Sequence, residues 1–207
     1  MELAMPISSY AELKAAIPVW FMDRSDLAPQ ADDFIDLFEA YASKALRCRQ
    51  MEAVASLTPV ANACTLPADY LEYKRVVEKA ATRRALEFIS EDAADLTYPH
   101  RTSGLANHFS IVGSSLTALP LSNNDIELTY YQAIPPLSSI VTSNWLLATS
   151  PNLYLHGCLM QAAEFVNDDA MLARETALTT RFVELLNEAD NRGKLGNAGI
   201  TLTGPVW

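Results

Sequence analysis

Apolar residues recur along the first fifty positions at helical spacing. Ser9-Tyr-Ala-Glu12 has the capping-box pattern, in which the serine hydroxyl accepts from the amide three residues on and the glutamate reaches back. A helix is expected to start there and to end or kink at Pro18. After a polar turn at Asp23–Leu27, a second helix is expected from near Pro29 to about Ala53. Phe34, Phe38, Tyr41, Ala45 and Cys48 repeat at alternating four- and three-residue intervals. Asp32, Asp33 and Asp36 fill its first turns and Lys44, Arg47 and Arg49 its last, complementing the helix dipole. The period changes after Leu57. Leu71–Val77 and Ala85–Ile89 read as strands around a polar turn at Glu78–Arg84, and His108–Thr117 reads as a hairpin turning at Gly113-Ser114. Ser90 is suited to cap a short helix, and Ile126, Leu128 and Tyr130 alternate with polar positions as in a half-buried strand. Ser150-Pro151 opens a helix that is apolar nearly all round to about Val166. Asn167-Asp168-Asp169 caps another, with Met171, Leu178, Phe182, Leu185 and Ala189 on its inner side, Arg174, Arg181, Glu184, Glu188 and Arg192 in solvent, and a stop at Gly193.

These patterns predict an α+β protein: mainly a helical bundle from residues 1–57 and 136–192, a small antiparallel β-region inserted at 58–135, and an extended C-terminal tail at 193–207. The tail holds four of the seven glycines and no acidic side chain. Gly193, Leu195, Ile200, Leu202, Pro205, Val206 and Trp207 suit an arm that orders on a partner, since an extended segment adds main-chain hydrogen bonds and anchors alternate side chains.

Composition narrows the chemistry. Half of the 207 residues are apolar and 19% charged, which excludes wholesale disorder. With 25 acidic against 15 basic residues the formal charge is −10, which argues against affinity for phosphate backbones or anionic lipid. Cys48, Cys64 and Cys158 form no C-x-x-C pair and read as buried thiols of a reducing compartment, with neither a disulfide framework nor a zinc site. The first residues do not read as a signal peptide. From Leu128 to Ala163 no charged side chain occurs, but Pro135, Pro136 and Pro151 break the stretch, so it reads as core and not as a membrane span.

Catalytic patterns are missing from the sequence. No phosphate-cradling glycine loop and no H-E-x-x-H occurs, and Gly113-Ser-Ser-Leu-Thr fails the nucleophile-elbow pattern at its last position. Asp32/Asp33 and Asp168/Asp169 are explained by their places at helix starts. His156 and Cys158, two apart on a helix, project in different directions. No enzyme activity, cofactor or metal is expected. The competing reading is a small intracellular enzyme or ligand-binding domain using the His100–His108 loop.

Several segments, in order, carry a resemblance. Trp20-Phe-Met-Asp-Arg-Ser-Asp-Leu27, Asp33-Phe-Ile-Asp-Leu-Phe-Glu-Ala40, Leu46-Arg-Cys-Arg-Gln-Met-Glu-Ala53, Leu66-Pro-Ala-Asp-Tyr-Leu71 and Leu128-Thr-Tyr-Tyr131 lead to the more specific run. That run is Asn144-Trp-Leu-Leu, Pro151-Asn-Leu-Tyr-Leu-His-Gly157, Gln161-Ala-Ala-Glu-Phe-Val166 and Asp168-Asp169. Together they resemble tailed-phage head-to-tail adaptor (connector) proteins, over nearly the whole chain. Pro18, within a helix expected to run on, and Asn152, where an aspartate is usual, depart from the pattern. The resemblance implies a structural virion protein, made in the bacterial host cytoplasm, that forms a dodecameric ring beneath the portal. Its partners would be the portal protein, tail (nozzle or stopper) proteins and copies of itself; DNA would pass through without specific binding, and no membrane is involved. It further implies that the 193–207 arm contacts the portal and that the helices at 29–53 and 168–192 supply ring contacts. A related tail-completion or stopper protein fits the same composition. The negative charge has two open readings, an acidic bore that repels DNA or simple solubility.

Overall fold

The computed structural model of the chain describes residues 7–195. It divides into two compact units, one drawn from the segments up to Gln50 and from Ile134 on, the other Met51–Ala133.

The helical unit begins with α1, Tyr10–Trp20, closed by the expected capping box: Ser9 accepts from the Glu12 amide, and the Ser9 amide donates to Glu12 Oε2 at 3.1 Å. Pro18 sits in its final turns, and the chain reverses through Met22 and Asp23, both with positive φ. A 3-10 turn at Ser25–Gln30 leads into α2, Ala31–Ala45. The expected run to Ala53 is corrected here. Leu46 is extended, and the Arg47 and Arg49 amides turn to the side chains of Asn187 and Asp190, each at 3.1 Å. Acceptors distant in sequence thus draw these amides out of the helical ladder that local propensity favours.

The second half of this unit holds α4, Trp145–Thr149; α5, Pro151–Val166; and α6, Asp169–Leu195, with α3 in the other unit described below. α4 was not expected; Asn144 Oδ1 caps it by accepting from the Leu147 amide at 2.9 Å. α5 is buried along most of its length, as its composition predicted. It packs against α2 so closely that a Cβ at Gly157 would overlap the Phe38 ring. Phe38 also meets Tyr154 edge-on, with centroids 5.1 Å apart. Asn167 ends α5 in the left-handed conformation, and Asp168 Oδ1 caps α6 by accepting from the Met171 amide at 3.0 Å. Two expectations for α6 are corrected. It passes through Gly193 to Leu195, since one glycine costs only about 1 kcal/mol in a helix. Its inner face is Met171, Glu175, Thr179, Val183 and Asp190, while Leu185 faces solvent, because Glu175 and Asp190, each with a specific partner, hold buried positions.

The second unit overturns the expected architecture, a mainly helical bundle with a small antiparallel β-region. The described residues are 47% helix and 24% strand, with a seven-stranded, nearly closed mixed sheet. Its strands are β1, Glu52–Leu57; β2, Cys64–Thr65; β3, Tyr70–Lys79; β4, Arg83–Phe88; β5, His108–Val112; β6, Ser115–Leu119; and β7, Ile126–Gln132, in the order β1-β7-β3-β4-β5-β6-β2. All neighbours are antiparallel except β4 and β5, which pair Phe88 with Phe109 in parallel after a crossover carrying α3, Glu91–Thr97. Glu52 and Ala53, read as the end of a helix, open β1, where Val54 lies opposite Thr129 of β7. Ala53, Ala55 and Leu57 alternate onto a core of Val76, Leu86, Phe109, Leu116, Ile126 and Leu128. That alternation, carried largely by alanines, is a weak strand signal until β7 is present to pair with it. Gly113 turns the β5–β6 hairpin at φ +59°, as its place in the sequence suggested.

Gly157→Ala is expected to destabilise the protein by about 1–3 kcal/mol or more through overpacking against Phe38. Gly113→Ala, with open space around it but a left-handed φ, is expected to cost about 1–2 kcal/mol. Urea unfolding midpoints at unchanged m-value check both.

Candidate interaction surface

α2 carries Glu39 into the interior of the helical unit, where it is 5% exposed. One carboxylate oxygen, Oε1, accepts from the Leu137 amide at 2.9 Å and from the Tyr154 hydroxyl at 2.8 Å. The Asn144 side-chain amide donates to that hydroxyl at 2.6 Å and to the Pro135 carbonyl at 2.8 Å, while its oxygen caps α4. One turn further on, Ser43 accepts from the Ile134 amide at 3.1 Å. This network ties α2, the 134–144 segment, α4 and α5 together. Burial outweighs the two hydrogen bonds and pushes the Glu39 carboxyl above its ordinary value. Burial, reinforced by Glu39, likewise pushes the Tyr154 phenol up.

A second buried acid joins α5 and α6. Glu175 is fully buried, accepts from Arg174 through Oε1 at 2.6 and 2.9 Å, and accepts from His156 Nδ1 at 2.6 Å through Oε2. Phe182 stacks on the His156 ring and Trp20 meets its edge. His156 is thereby a held packing residue.

Between α2 and α5 lies an open groove of about 610 Å³. Phe34, Leu37 and Phe165 make its apolar floor, and Phe34 and Phe165 meet at 5.6 Å between centroids. Leu37 is 55% and Phe165 58% exposed, whereas Phe34 beneath them is buried. Asp33, Asp36 and Glu164 line the rim, and none has an ion-pair partner among the described residues. Gln30, at the same groove, has a buried Oε1 with no hydrogen-bond partner there. The sequence had given Asp33 and Asp36 only a helix-dipole role, and the groove needs residues from two helices far apart in the chain.

The residues singled out from sequence are distributed as follows. Ile200, Leu202, Pro205, Val206 and Trp207 lie outside the described residues; the backbone of Gly193 and Leu195 belongs to the last turn of α6, so the expected extended segment does not start at Gly193. His108 Nδ1 is 2.7 Å from the Tyr98 hydroxyl, while His100 makes no hydrogen bond or ring contact among the described residues. Cys48, Cys64 and Cys158 are buried and outside any disulfide; burial raises Cys64 to about 11 and Cys158 well above the ordinary thiol value. No helix among the described residues is long and apolar enough to cross a membrane. In the sheet unit, Glu78 is buried, accepting from Ser122 and from Asn124 on one oxygen.

The family model described as SU10 adaptor protein matches residues 8–201. No curated protein matches the chain. The chain belongs to the SU10 adaptor protein family, a family of phage head-to-tail adaptors, and is therefore a phage structural adaptor of the virion, from a family that is generally non-enzymatic.

The raised Glu39 carboxyl sets a pH dependence. A carboxyl that binds its proton more tightly folded than unfolded contributes stability that is present below the ordinary glutamate value and lost as pH rises through the raised one. Glu39→Gln keeps an oxygen for Leu137 and Tyr154 but cannot ionise. Its stability relative to the parent protein is expected to increase from pH 4 to pH 8, read by thermal or urea unfolding across that range. Tyr154→Phe, which strips a donor from Glu39 and an acceptor from Asn144, is expected to cost about 1–3 kcal/mol.

Proposed function

We propose that the chain forms a dodecameric ring below the portal, lengthens the DNA channel and offers its lower face to tail proteins. The observation that carries this reading is the family match over residues 8–201, which spans both units and not one module of them. A role resting on surface complementarity also suits the chemistry found: the buried acids are hydrogen-bonded for structure, while a large apolar groove stays open to a partner. In a closed ring each contact is repeated by symmetry, so a modest pairwise affinity becomes a strong closure.

In this reading residues 196–207, with Ile200, Leu202, Val206 and Trp207 as anchors, form the arm that contacts the portal. The segment contains no acidic side chain, which favours approach to a partner without adding to the repulsion of a chain at −10.

Purified chain mixed with purified portal is expected to give a ring at the portal's lower end in electron micrographs; portal left bare at saturating chain overturns the reading. Truncation after Leu195 is expected to leave the melting temperature within a degree or two while weakening portal binding at least tenfold. Equal portal binding by the truncated chain overturns the arm but leaves the ring intact.

A further inference from the structure

We propose that the α2–α5 groove seats a basic segment of another protein, anchored by apolar side chains on the Phe34, Leu37 and Phe165 floor and held by Lys or Arg on the Asp33, Asp36 and Glu164 rim. The proposal rests on family membership for the existence of protein partners, and is independent of the portal arm.

Two observations converge. The floor sets the exposed Leu37 and Phe165 side by side over the buried Phe34. The rim places three carboxylates around that patch with no cation of the chain to neutralise them among the described residues, so they repel one another until a positive side chain arrives.

Charge also decides between a second copy and a different protein. Lys14, Arg24, Arg49, Lys74, Arg101 and Arg174 each hold a carboxylate of their own chain. Lys79 and Arg83 share Glu127. A second copy, itself at −10, loses part of any gain at this rim to repulsion between two net-negative chains. A foreign segment with Lys or Arg beside leucine or phenylalanine meets it without that loss. Such acid-rimmed apolar grooves select for basic amphipathic segments because the charges set orientation and encounter rate while the apolar anchors carry the affinity.

The test uses the full chain and two synthetic amphipathic helical probes, one of Lys, Leu and Phe, the other with every Lys replaced by Glu, followed by fluorescence anisotropy. The Lys probe is expected to bind, the Glu probe at least tenfold more weakly. The triple variant Asp33→Asn, Asp36→Asn, Glu164→Gln is expected to weaken the Lys probe at least tenfold, and Phe165→Ser at least fivefold. A control triple, Asp92→Asn, Glu184→Gln, Glu188→Gln, changes net charge equally at exposed sites elsewhere and is expected to change affinity less than twofold. Equal loss in both triples makes the binding non-specific charge attraction and overturns the proposal, as does a Phe165→Ser variant, folded by its melting curve, that binds as the parent does. Self-association of the chain that the groove triple abolishes assigns the groove to a second copy and overturns the choice of partner. Probe binding that survives truncation after Leu195 separates this outcome from failure of the portal arm.

Discussion

Glu39 is drawn out of water by α2, and a carboxylate so placed costs several kcal/mol unless hydrogen bonds replace its lost hydration. The Leu137 amide and the Tyr154 hydroxyl do so, and both come from chain nearly a hundred residues or more away. Because the hydroxyl is itself oriented by Asn144, and Asn144 caps α4, one carboxylate fixes where the chain re-enters the unit, where α4 starts and how α5 is turned about its axis. Removing any member leaves the others as unpaired polar groups, so the network specifies an arrangement more strongly than it adds net stability.

The packing built on that network creates the groove. Phe38 fits against the bare backbone at Gly157, and one turn toward the start of α2 Phe34 meets Phe165, two turns toward the end of α5. The two helices therefore run antiparallel, with their closest approach beside the Glu39–Tyr154 bond. The same helix shows two kinds of acid within two turns of each other. Glu39 faces inward and is satisfied by its own chain; Asp33 and Asp36 face the groove and are not. Function in such a protein follows from which acids the fold leaves unanswered.

Local chemistry was legible wherever the cause was local. The capping box at Ser9 and Glu12, the cap at Ser90, the hairpin turn at Gly113 and the alternation along Ile126–Tyr130 depend on neighbours within a few residues, and the structure has them where the sequence put them. The failures share a different cause. Glu52 and Ala53, expected to end a helix, become the start of a strand because β7 offers a partner and because Asn187 and Asp190 take the amides just before them. The α6 stripe was misplaced because Glu175 and Asp190 are buried by partners that helical periodicity cannot know about. The two-residue β2 is too short to carry a period, and the parallel β4–β5 pair follows from a crossover, not from either strand's pattern. The groove belongs to this class as well: Asp33 and Asp36 have an adequate local explanation at a helix start, and only Phe165 and Glu164, brought over by α5, give them another.

The two roles of acidic residues also bear on how a strongly negative chain can be an assembly protein at all. Net charge of one sign discourages like copies from meeting at random and keeps the free chain soluble, so productive contact has to be local and complementary. Several of the chain's cations hold carboxylates of their own chain, Asp32, Glu127, Glu91 and Glu175, which fixes helices and strands. A partner that brings Lys or Arg to the groove gains both the charge and the apolar floor, whereas one that brings more carboxylate is turned away before the apolar side chains can touch.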